Sequence, residues 1–139
     1  MDRVSRRAVA GLGLAGACIP SIALFYSALA DRYEPHDGKE IALGVRRVDL
    51  GKGEAILPGS KIVTLFDLVF QPASTFPNGI AMGDMICHVT AGRLWIVQNG
   101  WGFWAAKNHV WTRTKGLQEE ARNGGGEVAV LRVTELLPA

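Results

Sequence analysis

The chain has 139 residues, a length that predicts one domain with one modest hydrophobic core. The first 30 residues hold three arginines and one aspartate, so they carry the whole formal net charge of +2 and the remainder is neutral. A neutral body lacks the basic face that nucleic-acid binding requires, so we expect no nucleic-acid partner. Of the two cysteines, only Cys87 lies in the body, which excludes an internal disulfide there.

Residues 1–30 have the pattern of an export signal. The arginine pair Arg6-Arg7 precedes an uncharged stretch over residues 8–30, which ends in the small-x-small sequence Ala-Leu-Ala. An arginine pair at this position resembles a twin-arginine signal. We therefore expect residues 1–30 to be a cleaved signal peptide and the mature protein to be periplasmic or secreted.

Two alternatives remain for the same segment. The uncharged stretch of 23 residues is just long enough to span a bilayer, so an uncleaved anchor would place the protein on a membrane. Pro20 and several glycines make such a helix a poor permanent anchor. A lipoprotein signal at Cys18 fits less well, because the apolar stretch continues beyond that residue.

The first part of the body predicts short strands. Residues 31–40 are polar and form an exposed lead-in, and residues 41–50 form a first strand, followed by a loop over residues 51–59. Residues 61–71 (KIVTLFDLVFQ) are almost continuously apolar and β-branched or aromatic, which predicts a central strand buried on both faces. Asp67 interrupts this strand, and we expect it at a turn or paired with Arg46 or Arg132.

The second part of the body alternates short apolar strands with tight turns. Residues 72–84 are predicted to be a long irregular loop, and residues 127–134 a last strand. Between them, four residue pairs rich in Gly and Asn predict turns, because these residues tolerate positive φ: Ala91-Gly92, Asn99-Gly100, Lys107-Asn108 and Lys115-Gly116. About seven short strands and no convincing helix predict an all-β fold with antiparallel strands.

The spacing of these turns resembles the two sequence motifs of the cupin superfamily. The second motif is Gly-x5-Pro-x-Gly-x2-His-x3-Asn, and its spacing is kept here from end to end. The five matching positions are Asn108, Thr114, Gly116, Glu119 and Asn123, of which only Gly116 and Asn123 keep the residue type of the motif. The first motif ends at Gly92, and counting back places Met85, and Asn78 with Ile80 or Gly79 with Ala81, at its Glu and His positions. The resemblance implies a single-domain cupin β-barrel (jelly-roll) over residues 41–137.

The same resemblance argues against the metal that cupins usually bind. Members of the superfamily hold a divalent ion through three His and one Glu, and none of these four ligands is present at the matching positions. Asn, Ile, Met and Glu do not supply the imidazole donors that Fe, Mn, Ni or Zn would need here. We therefore expect no metal cofactor.

The candidate site follows from the alternation of side chains along a strand. If Met85 points into the barrel, Cys87 also points inward, whereas His88 points outward. Glu119 occupies the inward position of the second motif. The resulting ligand-binding candidates are Asn78, Met85, Cys87, Glu119 and Trp111.

Each of these candidates also has a structural interpretation. Cys87 could be a small buried hydrophobic residue, and Glu119 a solvated loop carboxylate beside Glu120. The aromatic residues over 95–111 are typical of core or subunit packing, and the alternative is an aromatic wall around a ligand. Many cupins dimerise through strand exchange and apolar outer faces, so the resemblance implies a homodimer.

Two function classes are compatible with these features. The first is a binding protein that takes a small, partly apolar molecule into the barrel. The second is an enzyme, either a metal-independent isomerase or lyase in which Glu119 is the acid–base group, or a metalloenzyme with unusual ligands such as Cys87, His88 and His109. The loss of the family ligands favours the first class, whereas a twin-arginine signal, which suits cofactor-loaded cargo, favours the second.

Overall fold

In a computed structural model, residues 33–138 are described, with the exception of the side chain of Asn78. The signal, anchor and lipoprotein predictions for residues 1–30 lie outside the described residues. No helix within the described range has the length and apolar character needed to cross a membrane. The range consists of strands and their connections, in agreement with the predicted all-β class.

The described residues form ten strands in two antiparallel sheets. In chain order the strands are β1 (Lys39–Ala42), β2 (Val45–Glu54), β3 (Ile62–Phe70), β4 (Thr75–Ile80), β5 (Asp84–Ala91), β6 (Arg93–Gln98), β7 (Trp101–Ala106), β8 (Val110–Arg113), β9 (Gln118–Arg122) and β10 (Ala129–Leu137). The larger sheet has the order β1-β2-β3-β10-β5-β8, and the smaller sheet has the order β4-β9-β6-β7. The crossovers between the sheets give a jelly-roll arrangement.

The core lies between the two sheets, as alternation along the strands requires. Side chains of β3, β5 and β10 meet side chains of β6, β7 and β9 in one buried cluster. Phe70, Leu94, Ile96 and Val89 are its largest fully buried members. Burial of apolar surface of this kind is the main favourable contribution to folding.

All four predicted turns are present. Positive φ angles occur at Gly92, Asn99, Gly100, Asn108 and Gly116. Asn108 has a φ of 71°, a conformation that Asn adopts more readily than other side chains do. This is why Asn108 can form the turn that a glycine forms in the motif that the sequence resembles.

Two predicted boundaries are wrong. The predicted strand over residues 41–50 is divided by a turn at Leu43-Gly44 into β1 and β2, and β2 continues to Glu54 through part of the predicted loop. The predicted irregular loop over residues 72–84 contains β4. Its pairing with β9 is interrupted between Phe76 and Gly79, so Pro77 lies at an irregularity where its missing N–H breaks no regular ladder.

Asn123 fastens the end of the smaller sheet to the larger one. It is buried directly after β9, and its side-chain amide donates to the carbonyl of Phe70 at 3.0 Å and to that of Glu127 at 2.8 Å. Its side-chain oxygen accepts from the N–H of Gly125 at 3.0 Å. The residue therefore satisfies three backbone groups at the corner that follows β9.

Asp67 is fully buried in the middle of β3, between β2 and β10. The Arg132 guanidinium donates to its two carboxylate oxygens at 2.9 and 3.0 Å, and the hydroxyl of Tyr33 also donates to it. Of the two predicted partners, Arg132 is the one that pairs with Asp67. This bidentate ion pair explains how a charged residue fits in a strand whose second half is buried on both faces.

Replacing Asp67 with Ala should lower the free energy of unfolding by about 3 kcal/mol, because a buried strand position loses a bidentate ion pair and Arg132 loses its acceptor. Urea denaturation followed by circular dichroism measures the change. The control is Asp49→Ala, which removes the exposed carboxylate that pairs with Arg47 and should change stability by under about 0.5 kcal/mol. Equal effects of the two substitutions would contradict this account of Asp67.

Candidate functional site

A cavity of about 390 Å³ opens between the two sheets. Its walls come from inward-facing side chains of both sheets and from the connection between β4 and β5. Most of the lining is apolar, and the charged or reactive side chains are Arg47, Cys87, Arg113, Glu119 and Glu135. The cavity is therefore an apolar pocket with a few convergent polar groups, which is typical of small-molecule sites.

Glu119 lies on β9 and is only 4% exposed. Its Oε2 accepts hydrogen bonds from Gln98 Nε2 on β6 and from Trp111 Nε1 on β8, both at 2.8 Å. Its Oε1 lies 3.4 Å from the Nε of Arg113, also on β8. Residues of both sheets thus converge on one buried carboxylate, whose burial is tolerable because it is hydrogen-bonded and paired.

Arg113 is held by the backbone as well as by Glu119. Its Nη2 donates to the carbonyls of Gly79 at 2.8 Å and Leu117 at 3.0 Å, and its Nη1 lies 3.8 Å from the sulfur of Met85. Its Nε has no aligned hydrogen bond, although the ion-pair distance to Glu119 is 3.4 Å. The contact with Glu119 is therefore mainly electrostatic, and the guanidinium is fixed in place by the two carbonyls.

Burial raises the pKa of the Glu119 carboxyl, and this effect exceeds the lowering by Arg113 and by the hydrogen bonds from Trp111 and Gln98. Burial, together with the nearby Glu119 charge, raises the pKa of Cys87 to about 12, although Arg113 acts in the opposite direction. Cys87 is therefore a protonated thiol at neutral pH and a poor nucleophile.

The structure brings three predicted site residues together. Met85, Cys87 and Glu119 all line the cavity, and the interpretation of Glu119 as a solvated loop carboxylate is wrong. Trp111 does not line the cavity, but it donates a hydrogen bond to Glu119, which does. Asn78 belongs to β4, and its side chain lies outside the described residues.

Arg113, Gln98 and Glu135 were missed by sequence reasoning. Arg113 carried a usable signal, because the alternation that turns Trp111 inward also turns Arg113 inward, opposite Met85. Glu135 pairs in register with Met85 and accepts from the Thr64 hydroxyl at 3.2 Å. Glu135 follows Leu131 and Val133 on the inner face of β10, but it lies beyond residue 134, where the predicted last strand ends.

The histidines of the described residues lie away from the cavity. His88 points to the opposite face of β5 from Cys87, with its Nε2 3.2 Å from Asn108 Oδ1. The ring of His109 stacks on Phe103 with 5.5 Å between centroids. The alternative zinc site of Cys87, His88 and His109 therefore does not assemble.

The donor set around Glu119 does not fit the divalent ion that the cupin fold implies. The cavity offers carboxylates, a thioether and a protonated thiol, but no imidazole. Within residues 33–138, no group of three or more His, Cys, Asp or Glu side chains is arranged to hold a metal ion.

Several solved structures share this fold. An RmlC-like cupin from Shewanella frigidimarina is similar with a TM-score of 0.58 and 14% identity over 73% of this chain and 82% of that chain. The cupin domain of Schizosaccharomyces pombe Cnp3 gives 0.58 and 18% over 67% and 64%, and KdgF from a Halomonas species gives 0.57 and 12% over 72% and 86%. No family model and no curated protein matches the sequence. At these identities the likeness shows the cupin-type fold alone.

Glu119 should make the folded protein less stable as the pH rises. A carboxyl whose folded-state pKa is raised stabilises fully below its ordinary pKa of 4.5 and loses that contribution as the pH rises through the folded-state value. The stability of the native protein relative to Glu119→Gln should therefore fall as the pH rises above 4.5. Thermal unfolding across this range measures it, with Glu120→Gln as the control on the same strand. The opposite slope would mean that Arg113 and the two hydrogen bonds outweigh burial.

Cys87 should resist alkylation in the folded protein, because its thiol is buried and protonated. In a Cys18→Ser background, iodoacetamide at pH 8 should label Cys87 at least about 100-fold more slowly in buffer than in denaturing urea. Intact-protein mass spectrometry follows the reaction. Labelling at similar rates in both solvents would show that the thiol is accessible or ionised in the folded state.

Proposed function

We propose that this cupin-fold protein binds a small, partly apolar molecule in the cavity between its sheets. The observation that carries the proposal is an apolar cavity of about 390 Å³ that contains a buried carboxylate–guanidinium pair. Pockets for small molecules in proteins commonly have volumes of ~300–1,000 Å³ and combine apolar walls with a few fixed polar groups.

The arrangement of Glu119 and Arg113 supports binding rather than a purely structural role. A buried ion pair is weak evidence for stability, because the cost of removing two charges from water offsets their attraction. An apolar pair at these positions would fill the space between the sheets more simply. The charges of Glu119 and Arg113 instead fix the directions in which a ligand can form hydrogen bonds at this end of the cavity.

Two expectations about the setting of the protein stay predictions. The arginine pair and the small-x-small sequence of residues 1–30 support export by a twin-arginine route to the periplasm or the outside of the cell. The strongly exposed Trp101 and the half-exposed Trp104 on β7, an edge strand, support a homodimer.

A metal-independent isomerase or lyase is the second candidate. The observation that favours it is the raised pKa of Glu119, which brings a cavity carboxyl toward the range of a general acid or base. Proton abstraction next to a carbonyl would appear as deuterium uptake by small ketones incubated with the protein in D₂O and followed by NMR. Uptake that Glu119→Gln abolishes would support this candidate, and uptake unchanged by Glu119→Gln would exclude Glu119 as the acid–base group.

Filling the cavity should weaken binding of an apolar probe. Ala121 is buried on β9 and lines the cavity, whereas Ala106 is exposed on β7. We expect Ala121→Leu to weaken binding of the neutral fluorophore N-phenyl-1-naphthylamine at least about tenfold, and Ala106→Leu to leave it unchanged. Fluorescence titration measures affinity, and circular dichroism verifies that both variants are folded. A folded Ala121→Leu variant with native affinity would contradict binding in this cavity.

A further inference from the structure

We propose that the cavity is built for a neutral amphiphile, whose uncharged polar head group lies against Glu119 and Arg113 and whose apolar chain leaves through the cavity mouth. The head group that fits is one with an adjacent hydrogen-bond donor and acceptor, of which a primary amide is the simplest. This inference rests on the proposed binding function and specifies the ligand class for the same site.

Arg113 is poorly placed to bind an anionic head group. A carboxylate is best bound by two parallel N–H groups of a guanidinium. The Nη2 of Arg113 already donates to two backbone carbonyls, and its Nε faces Glu119 at 3.4 Å. An anion in the cavity would also meet the negative charges of Glu119 and Glu135.

Glu119 is equally unsuited to a cationic head group. Its Oε2 is occupied by the donors of Gln98 and Trp111, and its Oε1 already faces the positive charge of Arg113. An ammonium group would have to replace that guanidinium or lie beside it. The charged residues of the lining, two Arg and two Glu, balance formally, so the cavity offers no net charge to compensate an ion.

Hydrogen-bonding capacity nevertheless remains at this end of the cavity. Glu119 Oε1 has no aligned donor among the described residues, and Arg113 Nη1 has only the weak sulfur contact at 3.8 Å. One atom is a free acceptor, and the other is a donor on the same ion pair. A primary amide supplies an N–H for the first and a carbonyl for the second, with no change in net charge.

The mouth of the cavity is lined by exposed apolar side chains. Ile41, Ile80 and Met82 line the cavity and yet are 37%, 59% and 68% exposed. Three large apolar side chains around one opening form a surface that water covers poorly. An apolar chain that extends out of the cavity would cover all three.

The part of the mouth that carries Met82 is fixed in place. The neighbouring Ala81 is buried, its N–H donates to the Leu117 carbonyl at 3.2 Å, and its carbonyl accepts from Gly116 at 2.8 Å. On the other side, a side chain at Gly83 would collide with the carbonyl of Leu136. Because both flanks are held by the backbone, Met82 stays at the mouth, where an occupant of the cavity would cover its side chain.

Three probes with the same chain separate the possible head groups: octanamide, octanoate and octylamine. Isothermal titration calorimetry at pH 7 with the full chain should show octanamide binding at least tenfold more tightly than either charged probe. Tighter or equal binding of octanoate or octylamine would overturn the inference while leaving a cavity-binding protein. No binding of any probe, with N-phenyl-1-naphthylamine still bound, would overturn it in the same way.

The apolar mouth is tested separately. Met82→Lys should weaken octanamide binding at least fivefold, whereas Leu43→Lys, at a residue that is 90% exposed and outside the cavity lining, should not change it. Equal affinity of the two variants would overturn the chain exit at Met82. Absence of N-phenyl-1-naphthylamine binding by the native protein would instead contradict the proposed function itself.

Discussion

The cost of burying the Glu119 carboxylate is the constraint on which the interior of this protein depends. An ionised carboxylate between two apolar sheets must be compensated by donors. The donors come from both sheets: Gln98 from the smaller, and Trp111 and Arg113 from the edge strand of the larger. Arg113 in turn requires two backbone carbonyls. The edge strand β8, strand β4 and the turn between β8 and β9 are therefore tied to one side chain.

Two buried acids lie in different settings, Asp67 in the larger sheet and Glu119 in the smaller. Asp67 is satisfied by a bidentate arginine and a tyrosine hydroxyl, and Arg132 also reaches solvent. Glu119, which faces the larger sheet across the cavity, has its arginine at a poorer angle and keeps one oxygen without an aligned donor. The first pair has little capacity left for another molecule. The second retains an acceptor and a donor next to an apolar space, which is the physical difference between a structural ion pair and a binding site.

The sequence correctly predicted the features that depend on neighbouring residues alone, namely the turns and the alternation of side chains along a strand. Gly and Asn marked the turns because only they enter positive φ at low cost, and alternation correctly placed Met85 and Cys87 on the inner face. Strand β4 was missed because Pro and Gly within it are ordinary loop signals, and its partner β9 is almost forty residues away. The burial of Glu119 was equally hidden, since its sequence neighbourhood is polar and its donors arrive from other strands. Contacts made by distant segments leave no periodic trace in a single sequence.

The chain has three Asn-Gly sequences, at residues 78, 99 and 123. Those at Asn99 and Asn123 differ in how their side chains are used, and this difference bears on the chemical ageing of the protein. Deamidation requires the backbone nitrogen of the following glycine to attack the side-chain amide, which must be free to rotate. The amide of Asn123 is buried and donates to two carbonyls, so it is withheld from this attack. Asn99 lies in the exposed turn between β6 and β7. Of these two sites, spontaneous loss of ammonia should therefore be faster at the tip of that hairpin than at the corner that joins the sheets.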